Sequence, residues 1–127
     1  EGSDTLVTAA AVSVANAVGV SGIEVLSVVN ASASATITQD MDAFAGVTSV
    51  SIGDTNNEIV ALTDVSATMN TVNIVSANTI AAGSSFTRKV DTTADSLTIN
   101  MGAAAAGVTI AQFHTINVTL RLCLTSN

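Results

Sequence analysis

The chain has 127 residues, enough for one domain with a buried core, and 48% of them are hydrophobic, which excludes intrinsic disorder. Ten acidic residues against three basic ones give a net charge of −7, which argues against nucleic-acid binding and against attraction to an anionic membrane. The apolar residues are mainly Ala, Val and Ile, interleaved with Thr, Ser and Asn, and charged helix formers are scarce. This mixture predicts an all-β fold.

The first strand-like pattern lies at residues 12–20, where four valines fall on one parity. The apolar stretch around it, residues 6–20, is too short and too often interrupted by polar residues for a membrane span. It also lacks the basic flank of a signal peptide. We therefore expect no membrane insertion, and we expect any export signal to lie outside this chain.

A repeated spacing of apolar residues organises the rest of the chain. An anchor followed by apolar residues three, six and eight positions later occurs twice, and a variant with spacings of three and five occurs twice more. The anchors are Val20, Phe44, Met69 and Phe113, and the alternating segment 97–101 lies in the last gap. Anchor separations of 24, 25 and 44 residues predict a parallel β-solenoid, or β-helix-like repeat, with rungs of about 22–25 residues.

The repeat extends over the whole chain without a linker. Ile37 and Leu62 each lie seven residues before an anchor, which predicts equivalent positions in two successive rungs. Residues 1–127 therefore form a single β-repeat segment. Because solenoids need capped ends and the apolar residues at 120–124 have no polar cap, we expect a fragment of a longer surface protein. A whole subunit whose ends are covered by partners stays open.

Acidic and amide side chains in predicted turns are the candidate metal ligands. They are Asp40 and Asp42 after one strand, and Asp54, Asn56 and Glu58 after the next. Alternating oxygen ligands of this kind suit Ca²⁺, although the spacing matches neither an EF-hand nor a calcium β-roll. The same residue types also cap turns through their own backbone. The sequence leaves both roles open.

No active site is predicted. His114 is the single histidine and Cys123 the single cysteine, and neither has the neighbours of a zinc site or an activated thiol. The sequence contains no Gly-x-Ser-x-Gly elbow and no phosphate-binding loop. A polysaccharide-active site would depend on Asp91 and Asp95 beside Arg88-Lys89. We predict that the chain is not an enzyme and that it holds no cofactor other than Ca²⁺.

Three segments carry a family resemblance: residues 44–52, 95–102 and 107–120. They resemble the repeats of secreted bacterial surface-layer (S-layer) proteins of the RTX-related kind, over about Val20 to Leu120. The resemblance implies a right-handed β-solenoid, type I export, a location outside the cell at its surface, and a lattice whose subunits are bridged by Ca²⁺. The calcium-binding nonapeptide of this family is absent from the sequence.

The leading functional hypothesis is a structural component of an extracellular bacterial surface layer that assembles with copies of itself. Its mechanism would be hydrogen bonding between stacked strands together with burial of an apolar column. A filament subunit completed by a neighbour's strand is one alternative. An adhesin-type module that binds cell-surface polysaccharide, or ice, is another, although Thr36-Ile37-Thr38 is the one clear Thr-x-Thr array.

Overall fold

The computed structural model describes six stretches of the chain, with side chains described through residue 100: residues 2–29, 36–53, 59–74, 84–101, 109–111 and 115–120. Within them, ten short strands pair in parallel throughout. The strands are β1 Thr5–Thr8, β2 Val25–Val28, β3 Thr36–Asp40, β4 Ser49–Ile52, β5 Ile59–Val65, β6 Thr71–Ile74, β7 Ser85–Arg88, β8 Ser96–Met101, β9 Thr109–Ala111 and β10 Thr115–Leu120. A short 3₁₀ helix, Met41–Phe44, follows β3. No helix in these stretches is long and apolar enough to cross a bilayer.

From β2 onward the chain alternates between two sheets, which is the topology of a β-solenoid. Sheet A has six strands in the order β1-β2-β4-β6-β8-β10, and sheet B has four in the order β3-β5-β7-β9. Each strand thus pairs with strands one turn before and after it in the sequence. Parallel strands cannot be joined by a tight hairpin, and here the crossover passes through the opposite sheet. The predicted all-β, parallel β-solenoid is confirmed.

Inward-facing apolar residues stack in columns and form the core. In sheet A, Leu26, Val50, Val72 and Ile99 occupy successive positions of one column, and all four are buried. Burial of one such side chain contributes about 1.5–3 kcal/mol relative to exposure. The predicted apolar spacing therefore marks the positions at which successive turns bury their side chains against each other.

The length of a turn varies more than predicted. Paired positions are 22 residues apart between Ser49 and Thr71, 27 apart between Thr71 and Thr98, and 19 apart between Thr98 and Asn117. The strands keep their pairing while the connections between the two sheets absorb the difference. A fixed period of 22–25 residues is thus too narrow.

The seven-residue spacing before the anchors misaligns two residues in sheet B. Leu62 lies opposite Gln39, whereas the spacing predicted that it would be equivalent to Ile37. A shift of two residues leaves a side chain on the same face of a strand, so the burial pattern does not reveal it. The equivalence of Ile37 and Leu62 is therefore wrong by two positions.

The last predicted repeat is shifted in the same way. Its anchor, Phe113, lies outside the described residues, but the strand after it is β10. Val118 pairs with Ile99 and so stands in the column of Val72, where the spacing had placed Ile116. Again the face is right and the position along the strand differs by two.

The first coil, residues 5–24, consists of β1 and an irregular segment that replaces a sheet B strand. The strand predicted at residues 12–20 is wrong, because residues 14–19 are turns. The amide of Ala17 donates to the carbonyl oxygen of Ser13 at 3.0 Å, and the amide of Val20 donates to the carbonyl oxygen of Ala17 at 2.9 Å. These local bonds place Ala17 in the core, and the parity of the valines corresponds to no buried face.

A bulge near the end of β5 changes the pairing between β5 and β7. Leu62 pairs with Phe86, but Val65 pairs with Arg88, so β5 contains one residue more than β7 over this interval. Asp64 takes up the change with a φ of 51°, a conformation that Asp and Asn adopt more readily than most residues. The bulge places Arg88 beside the buried Val65.

Candidate functional site

A buried arginine is the most polar feature of the interior described here. Arg88, at the end of β7, is 4% exposed, and its Nη2 lies 3.0 Å from Oδ1 of Asp95. Its Nη1 donates to the carbonyl oxygens of Ser66 at 2.8 Å and Met69 at 3.2 Å. The guanidinium thereby links the corner after β5 to the residue that precedes β8. Partners of this kind are needed, because removal of one partner from a buried pair is strongly destabilising.

Asp95 is held by the turn in which it lies. Thr92 donates its backbone N–H to Oδ2 at 2.7 Å and its hydroxyl to Oδ1 at 2.8 Å. The backbone N–H of Thr92, with further hydrogen bonds from its hydroxyl and from Arg88, lowers the pKa of Asp95 below its ordinary value. A carboxylate that is kept ionised is a poor proton donor, so this pair is suited to fixing the corner rather than to acid catalysis.

Lys89, the next residue, lies at the surface and not beside Arg88 in a shared basic patch. Its Nζ donates to both carboxylate oxygens of Asp42, at 2.5 and 2.7 Å, and both side chains are nearly half exposed. This hydrogen bond, with weaker contributions from the charges of Asp64 and Asp40, raises the pKa of Lys89 above its ordinary value. The pair joins the 3₁₀ helix to the end of β7.

The candidate calcium ligands divide into two groups. Asp40 Oδ1 accepts a hydrogen bond from the amide of Asp42 at 2.9 Å, so Asp40 is the N-cap of the 3₁₀ helix, and the turn-capping role is confirmed for this residue. The other group, Asp54, Asn56 and Glu58, lies outside the described residues. Within the described part of the chain, no group of three or more His, Cys, Asp or Glu side chains could hold a metal ion. Calcium binding stays a prediction.

The outward face of sheet A presents hydroxyl and amide groups in register. Neighbouring strands of a sheet are about 4.8 Å apart, so residues at equivalent positions form columns at that spacing. In one column, the Nδ2 of Asn100 donates to the Oδ1 of Asn73 at 2.8 Å. The two columns are Val25, Ser49, Thr71 and Thr98, and Ser27, Ser51, Asn73 and Asn100. No aromatic or charged residue interrupts them. Sequence reasoning identified one Thr-x-Thr array and missed these columns, which become visible when outward positions of successive rungs are aligned.

The first coil is attached to the solenoid by one buried amide. Gln39 is 1% exposed, although it occupies an inward position of β3. Its Oε1 accepts from the amide of Val12 and its Nε2 donates to the carbonyl oxygen of Val12, both at 2.9 Å. The side chain thus pairs with the backbone as a strand would. Nearby, Val20, Ile23 and Phe44 line a shallow apolar depression of about 200 Å³.

The residues considered for catalysis are not brought together in the described part of the chain. Asp95 is engaged by Arg88 and Thr92. His114 and Cys123 lie outside the described residues. That the chain is not an enzyme stays a prediction.

The architecture defines the chain as a parallel β-solenoid repeat protein. Comparison with protein-family models, with curated proteins and with solved structures finds no significant match. The resemblance to surface-layer repeats therefore rests on the sequence segments themselves and stays a prediction.

Proposed function

We propose that the chain is a structural component of an extracellular bacterial surface layer, in which stacked β coils form a rigid element that assembles with copies of itself. The observation that carries the proposal is the uninterrupted parallel ladder of sheet A over a filled apolar core. Such a ladder gains its stability from contacts between neighbouring coils, and it can be extended by adding further coils.

The use of buried polar residues supports a structural role. Arg88 binds Asp95 and two carbonyl oxygens, Gln39 binds the backbone of Val12, and the hydroxyl of Ser84 accepts from the amide of Val60 at 3.0 Å. Each of these groups connects parts of the chain that are far apart in sequence. Buried polar groups with satisfied hydrogen bonds rigidify a fold.

Bridging of subunits by Ca²⁺ is part of the proposal, and Asp42 is its accessible described ligand. Its carboxylate is neutralised by Lys89 across a partly exposed ion pair, which is worth little in water. A cation that recruited oxygen ligands from a second subunit could displace the ammonium group. Calcium sites of extracellular modules bind at about 10⁻⁴–10⁻³ M, so millimolar Ca²⁺ is the relevant range.

Dynamic light scattering of the purified chain tests the proposal. Particle size is followed while millimolar Ca²⁺ is added and then removed with a chelator. Reversible growth supports a calcium-linked layer, and growth without Ca²⁺ supports assembly through strand pairing alone. A monomer under every condition contradicts self-assembly. Antibody labelling of intact against permeabilised source cells tests the location, and labelling only after permeabilisation contradicts it.

An adhesin-type binding module is a second candidate, favoured by the outward hydroxyl and amide columns of sheet A. Regularly spaced donors and acceptors suit a polysaccharide surface with a repeating arrangement of hydroxyl groups. Co-sedimentation with insoluble cell-wall polysaccharide tests this role. Ser51→Lys, in the middle of a column, should abolish binding, whereas Thr87→Lys on the outward face of sheet B should not. Equal binding by both variants contradicts a role for the columns.

A further inference from the structure

We propose that the first coil is a docking surface for a second copy of this chain, whose β10 adds to the free edge of β1 in parallel and in register. This inference rests on the proposed self-assembly and names its surface and its partner. Contact between β10 of one copy and β1 of the next is head-to-tail, so it generates an open-ended filament of coils.

Exposed apolar side chains are concentrated in this coil. Of the five large hydrophobic side chains that are exposed among the described residues, four belong to residues 5–24. They are Val7 at 60%, Val14 at 45%, Val18 at 83% and Val20 at 42%. Single exposed apolar residues are ordinary, but a group of them within one coil marks an interaction surface.

The edge of sheet A lies in the same coil. β1 pairs with β2 on one side, and on its other side no strand pairs with it among the described residues. An edge strand with free N–H and C=O groups is a template for another strand. Leu6 of β1 continues the inward column of Leu26 but is only partly buried, whereas Leu26 is fully buried. A strand added to β1 would complete the burial of Leu6.

The coil-to-coil interface inside the chain indicates which partner fits. Every strand pair of sheet A is parallel, and each places small polar residues outward and apolar residues inward. β10 forms the opposite end of the same sheet, so a copy that adds its β10 to β1 continues the existing interface without a change in direction. Pairing of β1 with β1 about a two-fold axis would be antiparallel and would close after two copies.

Lysine substitutions test the surface, with assembly of the wild-type chain measured first by sedimentation velocity. Val7→Lys and Val18→Lys should each raise the concentration for half-maximal assembly by at least about tenfold, because the contact would bury an unpaired ammonium group. Val90→Lys is the matched control, since Val90 is 62% exposed and lies outside the first coil. Thermal melts confirm that the three variants are folded.

The outcomes separate this inference from the proposed function. If the wild-type chain assembles and all three variants assemble equally well, the docking surface is wrong while self-assembly stands. If the wild-type chain remains a monomer, both are contradicted. If assembly stops at dimers, the head-to-tail arrangement is overturned.

Disulfide trapping tests the register without relying on a charge. Val7 continues the column that leads through Ser27 and Asn100 to Thr119 of β10. Neighbouring strands are about 4.8 Å apart, which is within the Cα range of a disulfide, about 4.4–6.8 Å. Copies with Val7→Cys and Thr119→Cys, each in a Cys123→Ser background, should therefore cross-link with each other.

The control for this experiment replaces Val7→Cys with Val90→Cys. In an assembled sample, the Val90→Cys chain should remain uncross-linked to the Thr119→Cys chain. Absence of a disulfide between the Val7→Cys and Thr119→Cys chains, or cross-linking of Val7→Cys chains only with each other, overturns the parallel, in-register docking.

Discussion

The first coil and the coils that follow it contain the same kinds of residues in different environments. In β2, β4 and β6, the inward residues Leu26, Val50 and Val72 are fully buried, whereas Leu6 in β1 is only partly covered. The interior strands have a neighbour on each side, and β1 has one among the described residues. Burial in this fold therefore depends on stacking as much as on the sequence of the coil itself.

Removing a core aromatic is the strongest way to test this difference. Phe86 is fully buried between the two sheets' inward columns, and Phe86→Ala should lower the free energy of unfolding by about 3–5 kcal/mol through lost burial and a cavity. Val7→Ala in the first coil should change it by less than about 0.5 kcal/mol. Urea denaturation measures both. Similar losses for the two variants would show that the first coil is as tightly packed as the interior.

The Arg88–Asp95 pair predicts the next largest effect, together with a pH dependence. Asp95→Asn removes the negative partner of a buried guanidinium, so the melting temperature at neutral pH should fall clearly. Because the folded-state pKa of Asp95 lies below the unfolded value of 3.8, its contribution is complete above that value and is lost as the pH falls through the folded-state pKa. The difference between variant and wild type should therefore shrink below about pH 4.

Asp42→Asn provides the control for the acid titration, because it makes the same charge change at an exposed position. Its melting temperature should stay close to that of the wild type at neutral pH. A difference between Asp95→Asn and wild type that persists unchanged into acid would contradict the assigned role of the Asp95 carboxylate.

Detaching the first coil from the interior should give a smaller, local effect. Gln39→Leu keeps the volume of the side chain but leaves the N–H and C=O of Val12 without their partner, which costs about 1–3 kcal/mol. Hydrogen exchange at residues 11–20 should accelerate while exchange in β4 and β6 stays slow. Acceleration throughout the chain would show that the first coil and the interior unfold together.

The surface pair should have the smallest effect on stability. Lys89→Gln removes the partner of Asp42, and the melting temperature should hardly change because both side chains are partly exposed. If Asp42 contributes to calcium bridging, Lys89→Gln should lower the Ca²⁺ concentration that is needed for assembly. Light scattering during a Ca²⁺ titration of variant and wild type measures this. A large loss of stability would indicate that the pair is needed for the fold.

The solenoid was predictable because burial follows a simple rule in this chain. Inward positions such as Val50 and Ile52 are apolar and alternate with small polar residues, so two-residue alternation and a longer period are both visible in the sequence. The alternation fixes the face of a side chain but not its position along the strand. For this reason, equivalences such as Ile37 with Leu62 were wrong by two residues.

The polar interior was less predictable, because its residues break the apolar rule. Arg88 has the same parity as Phe86, so an inward position could have been inferred from the strand pattern. Gln39 likewise alternates with Thr38 and stands two residues after Ile37. Their partners, however, are a carboxylate and backbone carbonyls that come together only when successive coils stack. Single-sequence patterns do not contain that information.

The constancy of strand pairing despite variable connections has an evolutionary consequence. Ser49 and Thr71 occupy equivalent positions in β4 and β6 and are separated by 22 residues. Loss or duplication of residues 49–70 would remove or add one β4–β5 unit, and every remaining strand would still meet a partner in register. A gene encoding this fold can therefore lengthen or shorten its product by whole structural units, without inventing a new core at each step.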